Sequence, residues 1–121
     1  MNEIRSYRDL IVWQKSMKLV TGIYGITREL PKEETYGLCS QIRRCSISIP
    51  SNIAEGYGRH STKDYIRFLQ IASGSLYELQ TQLEICLNLN YLTQTKFDSV
   101  AAKSMEIEKM LSSLIAKLKR R

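Results

Sequence analysis

Proline and glycine are scarce in this 121-residue chain, with two of the first and six of the second. That leaves little material for linkers, and no segment is of low complexity, so one domain spanning residues 1–121 is expected, long enough to bury a real core. Long apolar runs are missing too, which excludes a membrane-crossing helix. The opening MNEIRSYRDL lacks the apolar stretch of a secretory signal, so a soluble cytoplasmic protein is expected. Period-two alternation appears nowhere, and with it goes any sheet.

Metal ligands and catalytic groups are equally thin. The three cysteines (Cys39, Cys45 and Cys86) are odd in number and lack CxxC spacing, and the one histidine is His60. A structural zinc site needs four clustered ligands, so no metal is expected and the thiols read as small apolar groups. There is no Glu-x-x-His pair of the kind that builds a di-iron bundle. The segment GYGRHST has neither the length nor the lysine placement of a phosphate-cradling P-loop, and His60 has no evident Ser or Cys partner. Neither catalysis nor a cofactor is expected.

What the chain does hold is positive charge and helical periodicity. Eighteen basic against twelve acidic side chains give +6, divided as +2 over residues 1–30, +1 over 31–60, −1 over 61–90 and +4 over 91–121. This balance favours polyanionic partners, though net charge also serves plain solubility.

Four helices are predicted, at about 7–29, 34–57, 61–89 and 94–118, forming an all-α, antiparallel up-down four-helix bundle with short turns. Ser6 with Asp9 reads as a capping pair for the first, which Pro31 stops. One stripe of that helix runs through Leu10, Trp13, Met17, Val20, Tyr24 and Thr27, and a second through Val12, Leu19, Ile23, Ile26 and Leu30. The two lie about 100° apart, a wider apolar arc than a surface helix needs. Burial on two sides is therefore expected, with Val12, Leu19, Ile23 and Ile26 against another subunit of a homo-oligomer. Ser61 with Asp64 opens the third helix, and its ASGS, Ala72 to Ser75, supplies small side chains for a close backbone approach. Thr93 or Thr95 opens the fourth, with Leu92 and Phe97 as a hydrophobic staple.

QIRRCSISIPSNIAEGYGR, Gln41 to Arg59, breaks this pattern with a proline, an asparagine and two glycines. Yet Ile42, Ser46, Ile49, Ile53 and Tyr57 stay in helical phase across Pro50, which an inserted loop has no reason to preserve. The spacing favours one helix, kinked near Pro50, with the freed carbonyl of Ser46 satisfied by Ser46, Ser48 or Asn52 side chains or water. The alternative is two shorter helices, Ser48 capping the second. Gly56 or Gly58 ends the segment.

The strings YRDLIVWQKSMKLV and LPKEETYGLCSQIRRCSISIPSNIAEGYGRHSTKDYIRFLQIASGSLYELQTQLEI resemble the bacterial 23S rRNA-intervening-sequence proteins over about residues 7 to 92. The matching positions include Gln41, Arg43, Arg44, Pro50, Asn52, Glu55, Gly56, Gly58, Arg59, Arg67, Phe68, Gly74 and Glu78, while Cys45 stands where the pattern has alanine. The resemblance implies an up-down bundle assembled into a ring, a pentamer, without known catalytic activity. The chain is also similar to the accessory protein of diversity-generating retroelements, a basic pentameric barrel that associates with a reverse transcriptase and nucleic acid.

Two basic groups are the candidate contacts for RNA or a ribonucleoprotein. Arg43, Arg44, Arg59, Lys63 and Arg67 are expected to form a patch at one bundle end, where guanidinium forks suit phosphate oxygens. Internal pairing competes, with Glu55 four residues before Arg59 and Asp64 three before Arg67. Lys117, Lys119, Arg120 and Arg121 form the densest polycation, which equally suits a solubilising helix end. Lys15 and Lys18 read as a solvated face. Trp13, Tyr24 and Tyr65 lie on core stripes; Tyr7, Tyr57 and Tyr91, near helix ends, are better placed for an interface or for stacking bases. The leading expectation is a non-enzymatic homo-oligomeric scaffold that binds RNA; the alternative is a protein–protein adaptor with no nucleic-acid role.

Overall fold

The computed structural model describes residues 3–121. Four helices carry the fold: α1 (Ile11–Thr27), α2 (Leu38–Tyr57), α3 (Thr62–Asn88) and α4 (Gln94–Lys119). Two short 3-10 turns, Tyr7–Asp9 and Lys32–Glu34, precede α1 and α2, and no strand occurs among the described residues. Each helix packs against two others. α1 lies on α2 and α4, α3 lies on α2 and α4, and the diagonal pairs make no close backbone contact. Residue numbers that rise along α2 fall along α3: Gln41 meets Gln82, Ser48 meets Ser75, and Gly56 meets Phe68.

The helix boundaries follow from local chemistry. The Ser6–Asp9 capping box exists, but it closes on the 3-10 turn. Leu10 is extended, at φ −73° and ψ 123°, and delays α1 to Ile11. α2 begins at Leu38 because Gly37 leaves the helical region and the Glu34 side chain accepts from the Leu38 amide. Ser61 and Thr93 side chains cap α3 and α4 by accepting from the amides of Asp64 and Lys96. α3 closes in a Schellman motif: Asn90 sits at φ 62°, its amide donates to the Leu87 carbonyl, and the Tyr91 amide donates to that of Cys86.

α2 runs unbroken through Pro50, which is buried. A polar seam accompanies it. Asn52 Nδ2 donates to the Ser48 carbonyl at 2.8 Å and to Ser48 Oγ at 2.9 Å, and that hydroxyl meets Ser75 Oγ of α3 at 2.8 Å. Ser46 Oγ donates to the Arg43 carbonyl. The short polar side chains thus serve the carbonyls of Arg43 and Ser48, on either side of the Ser46 carbonyl that proline leaves without an amide.

Leu19 and Ile23 of α1, Ile42, Ile49 and Ile53 of α2, Leu69, Leu76 and Leu79 of α3, and Ile107 and Leu111 of α4 are fully buried together. Each contributes about 1.5–3 kcal/mol relative to exposure. This corrects the expected oligomer interface. Val12, Leu19 and Ile23 point into the chain's own core, and Ile26 packs against it half-buried. The reason is rotational: Ser16 and Thr27 lie on the same line as Val12, Leu19 and Ile23, and their hydroxyls donate to the carbonyls of Val12 and Ile23, so these polar residues enter the core at no loss. The stripe left outside is Trp13, Met17, Val20 and Tyr24.

Within ASGS, Ala72 is buried and Ser75 meets Ser48 of α2, while Gly74 faces away from any neighbour. Nothing lies within 4 Å of a Cβ built on Gly74, whereas one on Gly56 meets Phe68 Cβ at 2.7 Å and Tyr65 at 3.2 Å. Glycine at position 56 lets α2 touch α3. Gly56→Ala is expected to cost about 1–3 kcal/mol, because its obstacle is a Cβ fixed to backbone. Gly74→Ala is expected to gain about 0.5–1 kcal/mol from helix propensity alone. Urea denaturation of both variants checks the opposite signs.

Candidate nucleic-acid interface

The basic residues divide into two groups along α2. Arg43 is half-buried, between α1 and α2. Its Nε donates to Thr27 Oγ1 at 2.8 Å, and its guanidinium lies 4.4 Å from the centre of the Tyr24 ring. Thr27 passes its own proton to the Ile23 carbonyl at 2.7 Å, so Arg43 completes a chain that ties the two helices. Arg44 is exposed beside it, facing a shallow hollow shared with Tyr36, itself 96% exposed. The expected single patch therefore does not form. Arg43 and Arg44 lie about 20 Å along α2 from its last residue, Tyr57, at about 1.5 Å per residue, and Arg59 lies beyond that end.

The second group gathers where α2 ends, α3 begins and α4 ends. Gly56 brings Phe68 against α2, and the Arg59 and Arg67 guanidiniums both sit over its ring, at 4.6 and 4.7 Å from the centre. Arg59 also donates to Glu55 at 2.9 Å, while Arg67 stands 3.8 Å from Asp64. Both pairs are exposed and single-turn, worth a few tenths of a kcal/mol. Contact with the Phe68 ring restrains both guanidiniums while each side chain stays open to solvent. Lys63, Lys119 and Arg121 line the same hollow as Arg67, between the first turns of α3 and the last turn of α4. Among the described residues none of these three makes an ion pair. Arg121 lies near enough to Tyr65 to work against the burial that raises that phenol's pKa. Lys117 and Arg120 are exposed on the same turn but do not line the hollow.

The aromatic candidates are occupied. Tyr7 packs edge-on against Trp13 at 5.2 Å, and Tyr57 against Tyr65 at 6.1 Å. Tyr91 donates to Glu34 Oε2 at 3.2 Å, and desolvation, followed by that carboxylate, pushes the phenol's pKa up. Trp13 is half-buried at the edge of an apolar groove shared with Met17, Val20, Ile47, Pro50 and Ala54. Lys15, expected on a solvated face, bonds Glu106 of α4 at 3.0 Å.

The cysteines are all buried. Burial, then the charge of Glu78, pushes the Cys45 thiol up to about 11, and it donates to Gln82 Oε1 at 3.2 Å. Burial likewise raises Cys86 to about 11. Thiols so protonated are not nucleophiles near neutral pH. Among the described residues no three His, Cys, Asp or Glu side chains are grouped to hold a metal ion, and no helix is long and apolar enough to cross a membrane.

Phe68 as the platform for two arginines, and Thr27 as the partner of Arg43, were not foreseen. The first had a signal in Gly56 of AEGYGR, three residues before Arg59; the second had none, since a threonine on a core stripe reads as packing.

Such an architecture is an all-α four-helix bundle with cations collected at one end. The sequence matches the 23S rRNA-intervening sequence proteins over residues 8–113, and the chain belongs to that family. A crystal structure of a protein of unknown function from the S23 ribosomal protein family of Bacteroides thetaiotaomicron is similar, with a TM-score of 0.81 and 31% identity across 87% of this chain and 98% of that one. No curated protein matches.

Arg43→Ala is expected to lower stability by about 1–2 kcal/mol, through the lost Thr27 bond and Tyr24 stacking, without changing affinity for RNA. Paired denaturation and RNA-binding titrations check that separation.

Proposed function

We propose that the protein is a non-enzymatic, homo-oligomeric scaffold that binds RNA or a ribonucleoprotein through the cations at the end of the bundle where α4 ends. One observation carries this reading: Lys119 and Arg121, some fifty residues along the chain from Arg67, share a hollow with Lys63 and Arg67, and Arg59 joins Arg67 over Phe68, with Glu55 and Asp64 the carboxylates paired to them. Guanidiniums over Phe68 and lysines on an open rim suit phosphate oxygens. Arg43 drops out of the candidate contacts as a structural tie; Arg44 remains as an exposed, separate cation.

Assembly into a ring is supported by apolar surface on two different sides. Met17 and Ile47, each 42% exposed, flank the α1–α2 groove, while Ile71, Tyr77, Ile85 and Leu89 stand out from α3. Unlike faces on one chain suit a head-to-tail contact, which closes into a ring, and the family resemblance implies five subunits. A ring would multiply weak basic ends into avid binding. The same groove is what favours the second reading, an adaptor that recruits a protein and has no nucleic-acid role.

Titrating a structured ribosomal RNA fragment against the intact chain and against a variant lacking residues 117–121 separates the two. Contacts to four phosphates give about 50- to 150-fold weaker binding between about 50 and 200 mM salt. The truncation is expected to flatten that slope, and absence of binding by the intact protein at about 50 mM salt would remove the RNA reading. In light scattering, the intact chain is expected well above the monomer mass, and Met17→Asp with Ile47→Asp is expected to return it to the monomer. A monomeric intact chain contradicts the ring.

A further inference from the structure

The hollow at the basic end has a volume of about 560 Å³, enough for a phosphate group with its sugar. Lys63, Arg67, Lys119 and Arg121 line it, and Asp64 is the one carboxylate among its lining residues. That carboxylate touches Arg67 alone, loosely, at 3.8 Å from Nε. We infer that this hollow is a binding site for a phosphomonoester dianion, such as the phosphate at the 5′ end of an RNA chain. The nucleic-acid source rests on the RNA reading above; the chemistry of the hollow does not.

The distribution of charge carries the inference. A nucleic-acid backbone presents phosphodiesters of one negative charge each, strung along a line, and is matched by cations strung along a face. Here four cationic side chains line a single concavity against one acidic side chain, an excess of about three side-chain charges, so an empty site sets like charges against one another. One diester in it leaves that excess largely standing. A terminal phosphomonoester brings about −1.5 to −2 charges at pH 7 and three acceptor oxygens to one point. The Arg67 guanidinium, 4.7 Å from the centre of the Phe68 ring, supplies a fork of donors, while Lys63 and Lys119 on flexible stems can close on the remaining oxygens. Leu118 and Ile66 line the apolar part of the same hollow, which suits a sugar edge.

Fluorescence anisotropy with one short, unstructured RNA in three forms tests this: 5′-phosphate, 5′-methyl phosphate and 5′-hydroxyl, each labelled at the 3′ end. A preference of about tenfold for the 5′-phosphate over both others is expected. Millimolar inorganic phosphate should remove it, as should the pair Lys63→Ala and Arg121→Ala; Arg44→Ala, outside the hollow, should leave it intact. Both altered residues of the pair are exposed, and the comparison of RNA ends in the unaltered protein needs no variant. Equal affinity for the three RNAs overturns the inference while leaving RNA binding in place. Failure of all three to bind, with inorganic phosphate still binding to the intact protein and not to the double variant by calorimetry, upholds the hollow as a site for small phosphates and removes its RNA source. Absence of both kinds of binding overturns it.

Discussion

The contact of α2 with α3 is the constraint from which the rest of the molecule follows. At its far end Gly56 has no Cβ, so Phe68 can sit on the backbone of α2, and this is the only way the two helices meet at that distance. At its middle Ser48 bonds Ser75 while Asn52 bonds Ser48, which holds α2 in register with α3 beside a proline that removes a helical hydrogen bond. At its near end Cys45 donates to Gln82, whose amide reaches Gln41. Every buried side-chain nitrogen and oxygen among the described residues finds a partner, so the seam adds specificity without leaving a group unsatisfied.

The charged end is a consequence of that seam. Because Phe68 is pressed against Gly56, its ring is rigid and offers a platform to Arg59 and Arg67, which would otherwise be long side chains free in solvent. The same helix ends bring the last turn of α4 beside the first turns of α3, where Lys119 and Arg121 join Lys63. A change at Gly56 should therefore be felt at the cations as well as in stability. Arg43 is bound to a different duty, the α1–α2 tie through Thr27 and Tyr24.

Much of this was legible in the sequence. The helical phase across Pro50 revealed one continuous α2, since phase is a property of packing and survives a missing hydrogen bond. Ser61 declared the start of α3, and Thr93 or Thr95 that of α4, of which Thr93 is the cap, because an N-cap is a local interaction. The first helix was read with its two stripes exchanged. Trp13 and Tyr24 look apolar enough for the core, and the spacing puts Thr27 with them and Ser16 on neither stripe, but serine and threonine can bond their own helix and go inside, whereas a large aromatic can rest half-buried at a groove. The sequence groups Arg59, Lys63 and Arg67 around the turn they share, but it sets Arg43 and Arg44 with them and Lys119 and Arg121 apart, because position along α2 separates Arg43 from Arg59 and only tertiary packing brings the end of α4 beside α3.

The central claim is that RNA phosphates meet the protein at the end formed by α2, α3 and α4 rather than along its sides. Backbone amide NMR of the labelled protein, recorded as a ribosomal RNA fragment is added, tests it most directly. Shifts concentrated in residues 59–67 and 117–121 are predicted, with the amides around Arg43 and Thr27 unmoved; shifts centred on the α1–α2 groove, or none at all, would contradict it.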